Sequence, residues 1–495
     1  MSAVKGLIKS GAWLTLANVV SKLASVISLP ILARLLGPES LGIYTVILSL
    51  IQSAQGFSSV GADIAIHRNS AQHQTIGAEV VGRLFGVGFA LICLISVMTG
   101  LGVWIFREFL ALHWLGQTNI TPWLGSAAVL IVLQPFGNVP LLFLAGLHDF
   151  RAYALRSTGG IIVSSIVTVL LAWNMGLKGA VLGLVIVAIF QIFWSYILVN
   201  PVLQLKGIQL RFDQFWRESW SILKFGFPYY FGNTLLGSVV GLPLMGLVSQ
   251  YGGLDQLGYL RVAQSMASLI GFIPAAIAPA AISYLSASSV GNQQSYQNLR
   301  SIHLRGIWIL LLIPTAAVCV LLPGLIRWLY GSNYQQAIVL SWVSLWCSMV
   351  AGVISVATQF LVADGDTLGV TFASTIGILG GVGSAFYFIP NYGALGFLLA
   401  TGVGHLGGLV VLAPKVFSNL QWQEQKFLIN LIVLTIFLFG TTLYLSLLRL
   451  DLSINCLFAI SIAILSLVFV FKKVISTLEQ ARINKFLKQT VKDLL

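Results

Sequence analysis

The sequence predicts an all-α integral membrane protein with about 14 transmembrane helices, arranged as two pseudo-symmetric six-helix lobes plus a C-terminal helix pair. The chain of 495 residues is 57% hydrophobic and only 8% charged, whereas a soluble domain carries about 25% charged residues. Apolar stretches long enough to span a bilayer recur along the whole chain. The first half of the sequence is echoed in the second half.

The spans are predicted from apolar stretches of about 20 residues that contain few charges. Lys22 interrupts the first stretch where the apolar core of a cleaved signal peptide would lie, so we expect this helix to remain in the mature protein. The predicted spans are 11–35, 41–65, 80–105, 122–146, 157–177, 179–199, 224–250, 258–284, 303–327, 336–362, 368–390, 393–414, 427–447 and 452–471.

The basic residues predict the orientation of the chain. A net charge of +13 is compatible with nucleic-acid binding. With a cytoplasmic N-terminus, however, 20 of the 27 Lys and Arg residues fall in or beside cytoplasmic segments and six fall near the outer side. This is the positive-inside bias. We therefore expect both termini in the cytoplasm and no nucleic-acid partner.

Two ordered matches reveal an internal repeat. The segment SVISLPIL (25–32) returns as SVVGLPLM (238–245), and GPESLGIY (37–44) returns as GGLDQLGYL (252–260). The offset drifts from 213 to 216 residues. Because each copy holds an even number of helices, both copies have the same orientation, as in transporters built from parallel repeats.

The repeat and the loop lengths predict the domain organisation. The longest cytoplasmic loop carries aromatic residues at helical spacing with charges between them, which is typical of an interfacial helix. The predicted divisions are an N-lobe of helices 1–6 (1–205), a cytoplasmic amphipathic linker (206–223), a C-lobe of helices 7–12 (224–415), helices 13–14 (427–471) and a basic amphipathic cytoplasmic tail (472–495).

The first span carries a polar stripe. Gly11, Thr15, Asn18, Lys22 and Ser25 are spaced by four and three residues, so they share one face of a helix. Lys22 lies roughly 20 Å from either end of the span at about 1.5 Å per residue, too far for its stem to reach water. Such a stripe is unfavourable against lipid and should face the protein interior or a wet cavity.

The sequence predicts no carboxylate at the depth of Lys22. None of the 14 Asp and Glu residues is predicted at a midplane, and Asp63 is the deepest. The interior is therefore cationic, which favours an anionic ligand such as a phosphate group. We predict that Lys22, Asn18 and Ser25 contribute to substrate binding. The alternative is a neutral lysine that is hydrogen-bonded to Asn18 or Ser25.

Arginines near the helix ends extend this cationic site if they point inward. Arg34 and Arg261 lie near outer ends and Arg305 near an inner end. We include all three among the predicted substrate-binding residues. The alternative for each is an anchor at the membrane interface.

Several polar side chains lie deep in the predicted spans, where they can bind substrate or join helices. Amides and an imidazole can bind sugar hydroxyls, and they can equally bridge helices. These deep polar residues are Gln52, Gln55, Gln134, Asn138, Asn233, Gln264, Gln359 and His405.

The four cysteines lack metal-ligand spacing and no G-x-x-x-x-G-K motif occurs, so no metal or other cofactor is expected.

The segment LIKSGAWLTLANVVSKLASVISLPILARLLGPESLGIYTVILSLIQ (7–52), and most specifically its turn ARLLGPESLGIY (33–44), resembles the start of bacterial polysaccharide (O-antigen, oligosaccharidyl-lipid) flippases. These belong to the multidrug/oligosaccharidyl-lipid/polysaccharide exporter superfamily. The resemblance implies a MATE-like, two-lobed bundle with a central cavity that works by alternating access. Lys22 and Arg34 hold places in the first helix comparable with those of basic residues that handle lipid pyrophosphate in peptidoglycan-precursor flippases.

The resemblance also implies a substrate and a location. The expected substrate is undecaprenyl-pyrophosphate-linked oligosaccharide, moved from the cytoplasmic to the outer leaflet of the bacterial inner membrane without an enzymatic reaction. The expected partners are this lipid-linked oligosaccharide, the lipid bilayer and other membrane proteins of polysaccharide assembly.

Three alternatives remain. A multidrug exporter of the same superfamily uses membrane-embedded carboxylates, which this chain lacks at any predicted midplane. A peptidoglycan-precursor exporter shares the expected chemistry. A membrane glycosyltransferase or polymerase is a remote alternative, suggested by Asp364 and Asp366 in a short turn that turn composition alone explains.

Overall fold

The structure is a computed structural model that describes residues 2–59, 61–62, 66, 77–147, 149–230, 236–289, 293–364, 366–417, 422–447 and 452–473. These residues form helices joined by short turns, without a β-strand among them. The predicted all-α class is confirmed, and a helix covers each of the 14 predicted spans over most of its length. The helices that correspond to these fourteen spans are α1 (2–36), α2 (38–59), α3 (Ala78–Ile105), α4 (Thr121–Gly146), α5 (150–175), α6 (177–205), α7 (Leu236–Gly252), α8 (Leu254–Ser289), α9 (Gln293–Tyr330), α10 (Ala337–Ala363), α11 (Thr367–Tyr392), α12 (Ala394–Phe417), α13 (Trp422–Leu447) and α14 (Leu452–Lys473).

Glycines separate two pairs of consecutive helices. Gly37 between α1 and α2 has φ 74°, and Gly176 between α5 and α6 has φ 58°. Residues with a Cβ rarely adopt these angles, so glycine allows each sharp turn without a loop. The helical stretches Ser2–Ser59 and Phe150–Leu205 are therefore two helices each.

The helices have membrane-spanning character. Among the described residues, nine helical stretches are long and apolar enough to cross a membrane, and two of these contain the pairs α1–α2 and α5–α6. Large apolar side chains such as Ile27, Trp173 and Phe193 are exposed on them, as expected for contact with lipid. The chain is a multi-pass membrane protein.

The chain forms two compact units. The first contains Met1–Arg261 and Ile389–Phe397, and the second contains Val262–Phe388 and Leu398–Leu495. The lobes predicted from the repeat, 1–205 and 224–415, remain predictions. Beyond Lys473, the predicted basic tail lies outside the described residues.

The core of the first unit joins α3, α4 and α6. The rings of Phe85 and Phe143 stack at 3.9 Å between centroids. Val199 and Leu203 of α6 belong to the same cluster of buried apolar residues. This packing fixes α4 and α6, which carry several of the polar groups discussed below.

The linker between α6 and α7 packs on the first unit. Its helix spans Phe215–Tyr230, so it continues into the beginning of the predicted span 224–250. Ile208 and Ile222 of the linker are buried in the core described above. On the opposite side of the helix, the side chains of Trp216 and Trp220 are 81% and 70% exposed.

Two glycines on α3 allow the linker to pack closely against this helix. Its backbone at Gln209 and Arg211 lies directly against Gly82 and Gly86, where a Cβ would collide. The Arg211 backbone N–H donates to the Gly82 carbonyl at 3.1 Å. The linker is therefore a folded part of the first unit.

The two repeated turns contact each other reciprocally. At an offset of 216 residues, Pro38 corresponds to Leu254 and Gly42 corresponds to Gly258. Gly42 packs against the carbonyl of Leu254, and Gly258 packs against the carbonyl of Pro38. Equivalent residues exchange equivalent contacts, as in an interface with twofold symmetry.

In the second unit, polar contacts join α9 and α10 to α13. Trp308 Nε1 of α9 donates to Thr435 Oγ1 at 3.1 Å, and Trp342 Nε1 of α10 donates to Thr442 Oγ1 at 3.2 Å. Helix α14 also packs on α9. The C-terminal helix pair is therefore part of the second unit.

Candidate functional site

The polar stripe of α1 lies apart from its apolar side. Lys22 is half-buried, whereas Asn18 and Ser25 are exposed. The Ser25 hydroxyl donates to the Ser21 carbonyl at 2.9 Å. The exposed apolar positions form a row with a spacing of four residues, consisting of Val19, Leu23, Ile27, Ile31 and Leu35.

Two predicted site residues come together in the first unit. Arg261, near the start of α8, lies close enough to Lys22 on α1 for the two positive charges to interact. It also lies within electrostatic range of Tyr44 on α2, whose side chain is buried. Two cations held near each other repel, and an anionic ligand between or beside them relieves that repulsion. The position therefore suits a phosphate-like group.

The other two predicted arginines have different surroundings. Arg34 is exposed in the last turn of α1. Arg305 belongs to the second unit and is buried. Its guanidinium lies 4.9 Å from the centroid of the Phe427 ring, and its Nε donates to the Ser301 carbonyl at 3.3 Å. Packing against its own unit is thus a substantial part of the role of Arg305.

Sequence reasoning missed Arg156 of α5. It was counted among the cytoplasmic cations, but its side chain is buried and 2% exposed. Its Nε donates to Ser195 Oγ at 2.6 Å, and its Nη2 donates to the Gly137 carbonyl at 3.1 Å and to Gln191 Oε1 at 3.4 Å. All three acceptors are neutral, and the ion pairs among the described residues do not include Arg156. The polar residues at 191 and 195, one turn apart on α6, are the only sequence signal for this site.

Three predicted deep amides form one cluster in the first unit. Gln55 Nε2 of α2 donates to Gln134 Oε1 of α4 at 2.6 Å. Asn138 Nδ2, one turn further along α4, donates to the same oxygen at 2.9 Å. All three side chains are half-buried. Gln52, one turn before Gln55, is exposed.

The Asp-x-Asp turn of the second unit is occupied by cations of the protein. Asp364 accepts from Arg300 Nη1 at 2.8 Å and from the Tyr296 hydroxyl. Asp366 pairs with Lys415. The hydrogen bond from Lys415, together with one from the Gly369 N–H, holds the pKa of Asp366 below its usual range. Both carboxylates thus bind neighbouring residues at helix ends, and this argues against a role for them in binding a nucleotide sugar.

Two deep residues of the sequence analysis, Asp63 and Asn233, lie outside the described residues. So does Leu235, the counterpart of Lys22 at the offset of 213 residues. His405 of α12 is half-buried. Gln359 is buried, and its Oε1 lies 3.3 Å from His303 Nε2, so this amide bridges α10 and α9.

Comparison with known proteins identifies relatives in polysaccharide assembly. The sequence profile of a family described as polysaccharide biosynthesis protein matches residues 31–339. A Shigella flexneri protein named as an O-antigen transporter is 24% identical over 348 residues, which cover 66% of this chain and 78% of that protein. The succinoglycan biosynthesis transport protein ExoT of Rhizobium meliloti (strain 1021) is 26% identical over 271 residues, which cover 54% of this chain and 50% of that protein.

Solved structures show the same fold. The lipid II flippase MurJ in an inward closed conformation superposes with a TM-score of 0.72 at 15% identity, over 92% of this chain and 97% of that one. An inward-facing multidrug resistance MATE family transporter of the MOP superfamily superposes with a TM-score of 0.61 at 15% identity, over 81% of this chain and 95% of that one. At these identities the likeness concerns the fold, and it confirms the predicted MATE-like architecture.

Proposed function

Because the chain belongs to the family of polysaccharide biosynthesis proteins, within the MOP superfamily of transporters, we propose that it is a flippase for lipid-linked oligosaccharide. The substrate is undecaprenyl-pyrophosphate-linked oligosaccharide, the repeat unit of a surface polysaccharide. It moves from the cytoplasmic to the outer leaflet of the bacterial inner membrane, with both termini of the protein in the cytoplasm.

The observation that carries this proposal is the pair of cations formed by Lys22 and Arg261. Lys22 is half-buried on a polar side of α1 and lies within electrostatic range of Arg261. A pyrophosphate carries several negative charges, and lysine and arginine side chains both donate strong hydrogen bonds to phosphate oxygens. The lipid tail of such a substrate stays in the bilayer while its charged head crosses on these groups.

The sign of the charges argues against a multidrug exporter for organic cations. Such a substrate requires carboxylates inside the membrane. Among the described residues, the acidic side chains lie near helix ends, in the turns or on the linker, and Asp63 is outside that part of the chain. The polar interior of the first unit thus carries cations and amides, which suit an anionic, sugar-bearing substrate.

The proposal is tested in a strain of the source bacterium that lacks this protein. We expect lipid-linked oligosaccharide to accumulate on the cytoplasmic side of the inner membrane and surface polysaccharide to disappear, and the wild-type gene to restore both. Normal display without accumulation would overturn the proposal. Accumulation of peptidoglycan precursor instead would favour the second candidate, a flippase for that lipid, since its pyrophosphate would suit the same cation pair.

A further inference from the structure

The amide cluster of the first unit has more hydrogen-bonding groups than it uses. Gln134 Oε1 accepts from both Gln55 and Asn138, so the Gln134 amino group remains unused within the described part of the chain. Gln55 and Asn138 each keep a carbonyl oxygen and one N–H. The Gln134 amino nitrogen and the carbonyl oxygens of Gln55 and Asn138 are not among the fully buried polar atoms that lack a partner, so accessible space lies beside these three atoms.

That space is polar where it meets α2. Gln52 is exposed, and its amide forms no hydrogen bond with another described residue. It lies on the same side of the helix as Gln55, because residues three apart are neighbours on a helix surface. Gly56 and Ser59 continue this side at the same spacing, and both are half-buried.

The depth of this side excludes lipid as its natural neighbour. Gln52 is 14 residues from Pro38 at the start of α2 and seven residues from Ser59 at its described end, which corresponds to roughly 21 Å and 10 Å along the helix axis at about 1.5 Å per residue. An unpaired primary amide at that depth is costly in hydrocarbon. A water-filled interior is therefore the favourable surrounding for the side formed by Gln52 and Gln55.

We propose that Gln52, Gln55, Gln134 and Asn138 form a subsite for the sugar hydroxyls of a lipid-linked oligosaccharide. A hydroxyl both donates and accepts, and each amide supplies both kinds of partner. The bond between Gln55 and Gln134 holds two of the amides in fixed positions, which reduces the entropy lost on binding. This inference rests on the proposed function, and it assigns the sugars and the pyrophosphate to different residues.

The test compares two ligands on the purified full chain in lipid nanodiscs. One is undecaprenyl-pyrophosphate-linked oligosaccharide, and the other is undecaprenyl pyrophosphate without sugar. Each lost hydrogen bond is worth about 0.5–1.5 kcal/mol, or up to about tenfold in affinity. We therefore expect wild-type protein to prefer the glycosylated ligand by about tenfold or more.

The most informative variant is Gln52→Leu. Because Gln52 is exposed and forms no hydrogen bond with described residues, a purely structural role predicts no effect. The subsite predicts weaker binding of the glycosylated ligand by several-fold and unchanged binding of the sugar-free ligand. Gln55→Leu combined with Gln134→Leu should remove the preference for sugar altogether. Gln359→Leu is the matched control, since it removes a buried amide that bridges helices of the second unit.

The outcomes separate the two proposals. If Gln52→Leu and the double variant keep the preference for the glycosylated ligand, the sugar subsite is wrong while the proposed flippase stands. If wild-type protein binds neither ligand, the proposed function itself fails and the subsite fails with it. If Gln359→Leu loses the preference as strongly as the cluster variants, the effect belongs to the fold and the subsite is rejected.

Discussion

Lys22 is a charge that the interior of a bilayer rejects unless a counter-charge or water accompanies it. Helical spacing alone placed it on a polar stripe, and the structure shows Asn18 and Ser25 exposed beside it. Its neighbour Arg261 was not predictable as such, because no local pattern relates two residues so far apart in the chain. The same limit explains why Arg156 was missed, since its burial depends on Ser195 and Gly137 of other helices.

Substitution of Lys22 is expected to abolish transport without preventing insertion. Lys22→Ala and Lys22→Glu should lose flipping, and Arg261→Ala should weaken it by about tenfold or more, as expected for a lost hydrogen bond to a charged group. Lys22→Arg should retain part of the activity, because the charge is kept while its geometry changes. The measurement is complementation of surface-polysaccharide display, with protein levels checked in parallel. Full display by Lys22→Ala would make the lysine structural, and the anion site would then have to be sought at Arg34, Arg261 or Arg305.

Gly42 and Gly258 allow the close contact between the repeated turns. A methyl group at either position would collide with a backbone carbonyl, so Gly42→Ala and Gly258→Ala should each destabilise the protein by about 1–3 kcal/mol. The reciprocal geometry predicts similar losses for both, measured as a lower melting temperature in detergent. Gly102→Ala is the control, because nothing lies within 4 Å of the added carbon. Unchanged melting of the first two variants would contradict the tight contact.

At the scale of elements, apolar length predicted the spanning helices well. The ends of the linker helix were harder to predict, because the helix continues to Tyr230 through residues that read as the start of a span. Its attachment to α3 also escaped prediction. That attachment depends on Gly82 and Gly86, which carry no signal of a partner when the sequence is read alone.

The linker should pack less tightly on α3 when Gly86 is replaced by a larger residue. A valine at Gly86 would meet the backbone of Arg211, so Gly86→Val should separate the linker from α3 and weaken the ion pair between Arg83 and Asp213, whose atoms lie 3.4 Å apart. Hydrogen exchange of residues 207–224 should become faster by about tenfold or more, corresponding to roughly 1.4 kcal/mol of lost protection. Gly102→Val on the same helix is the control. Equal protection in both variants would show that the linker is held by other contacts.

At the scale of the whole molecule, the apolar stretches predicted a bundle of 14 helices, and the resemblance to polysaccharide flippases implied its MATE-like architecture. The bilayer imposes the helix length, so each span can be recognised by its apolar length. The repeat accounts for twelve of the helices as two units of six. The arrangement of polar groups inside the bundle was less predictable. Gln55, Gln134 and Asn138 were each recognised as deep amides, but their meeting on one oxygen follows from packing of α2 against α4.

The orientation of the chain is tested by cysteine labelling in intact cells. Asn119, just before α4, and Asn391, in the last turn of α11, are exposed on the predicted outer side, and Ser221 is exposed on the linker. Asn119→Cys and Asn391→Cys should react with an impermeant thiol reagent, whereas Ser221→Cys should react only after the membrane is opened. The unsubstituted protein is the control for labelling of the native cysteines, of which Cys93 and Cys319 are buried and Cys347 is half-buried. Labelling of Ser221→Cys alone in intact cells would show that the predicted topology is inverted.

The central claim is that this protein carries lipid-linked oligosaccharide across the bilayer, and reconstitution tests it most directly. Purified protein is placed in liposomes with undecaprenyl-pyrophosphate-linked oligosaccharide in both leaflets, with and without an imposed ion gradient, and an impermeant glycosidase is added outside. Liposomes with wild-type protein should lose nearly all of the oligosaccharide, whereas protein-free liposomes and those with Lys22→Ala should lose only the outer half. Digestion by wild-type liposomes that stops at the protein-free level under every gradient would contradict the account.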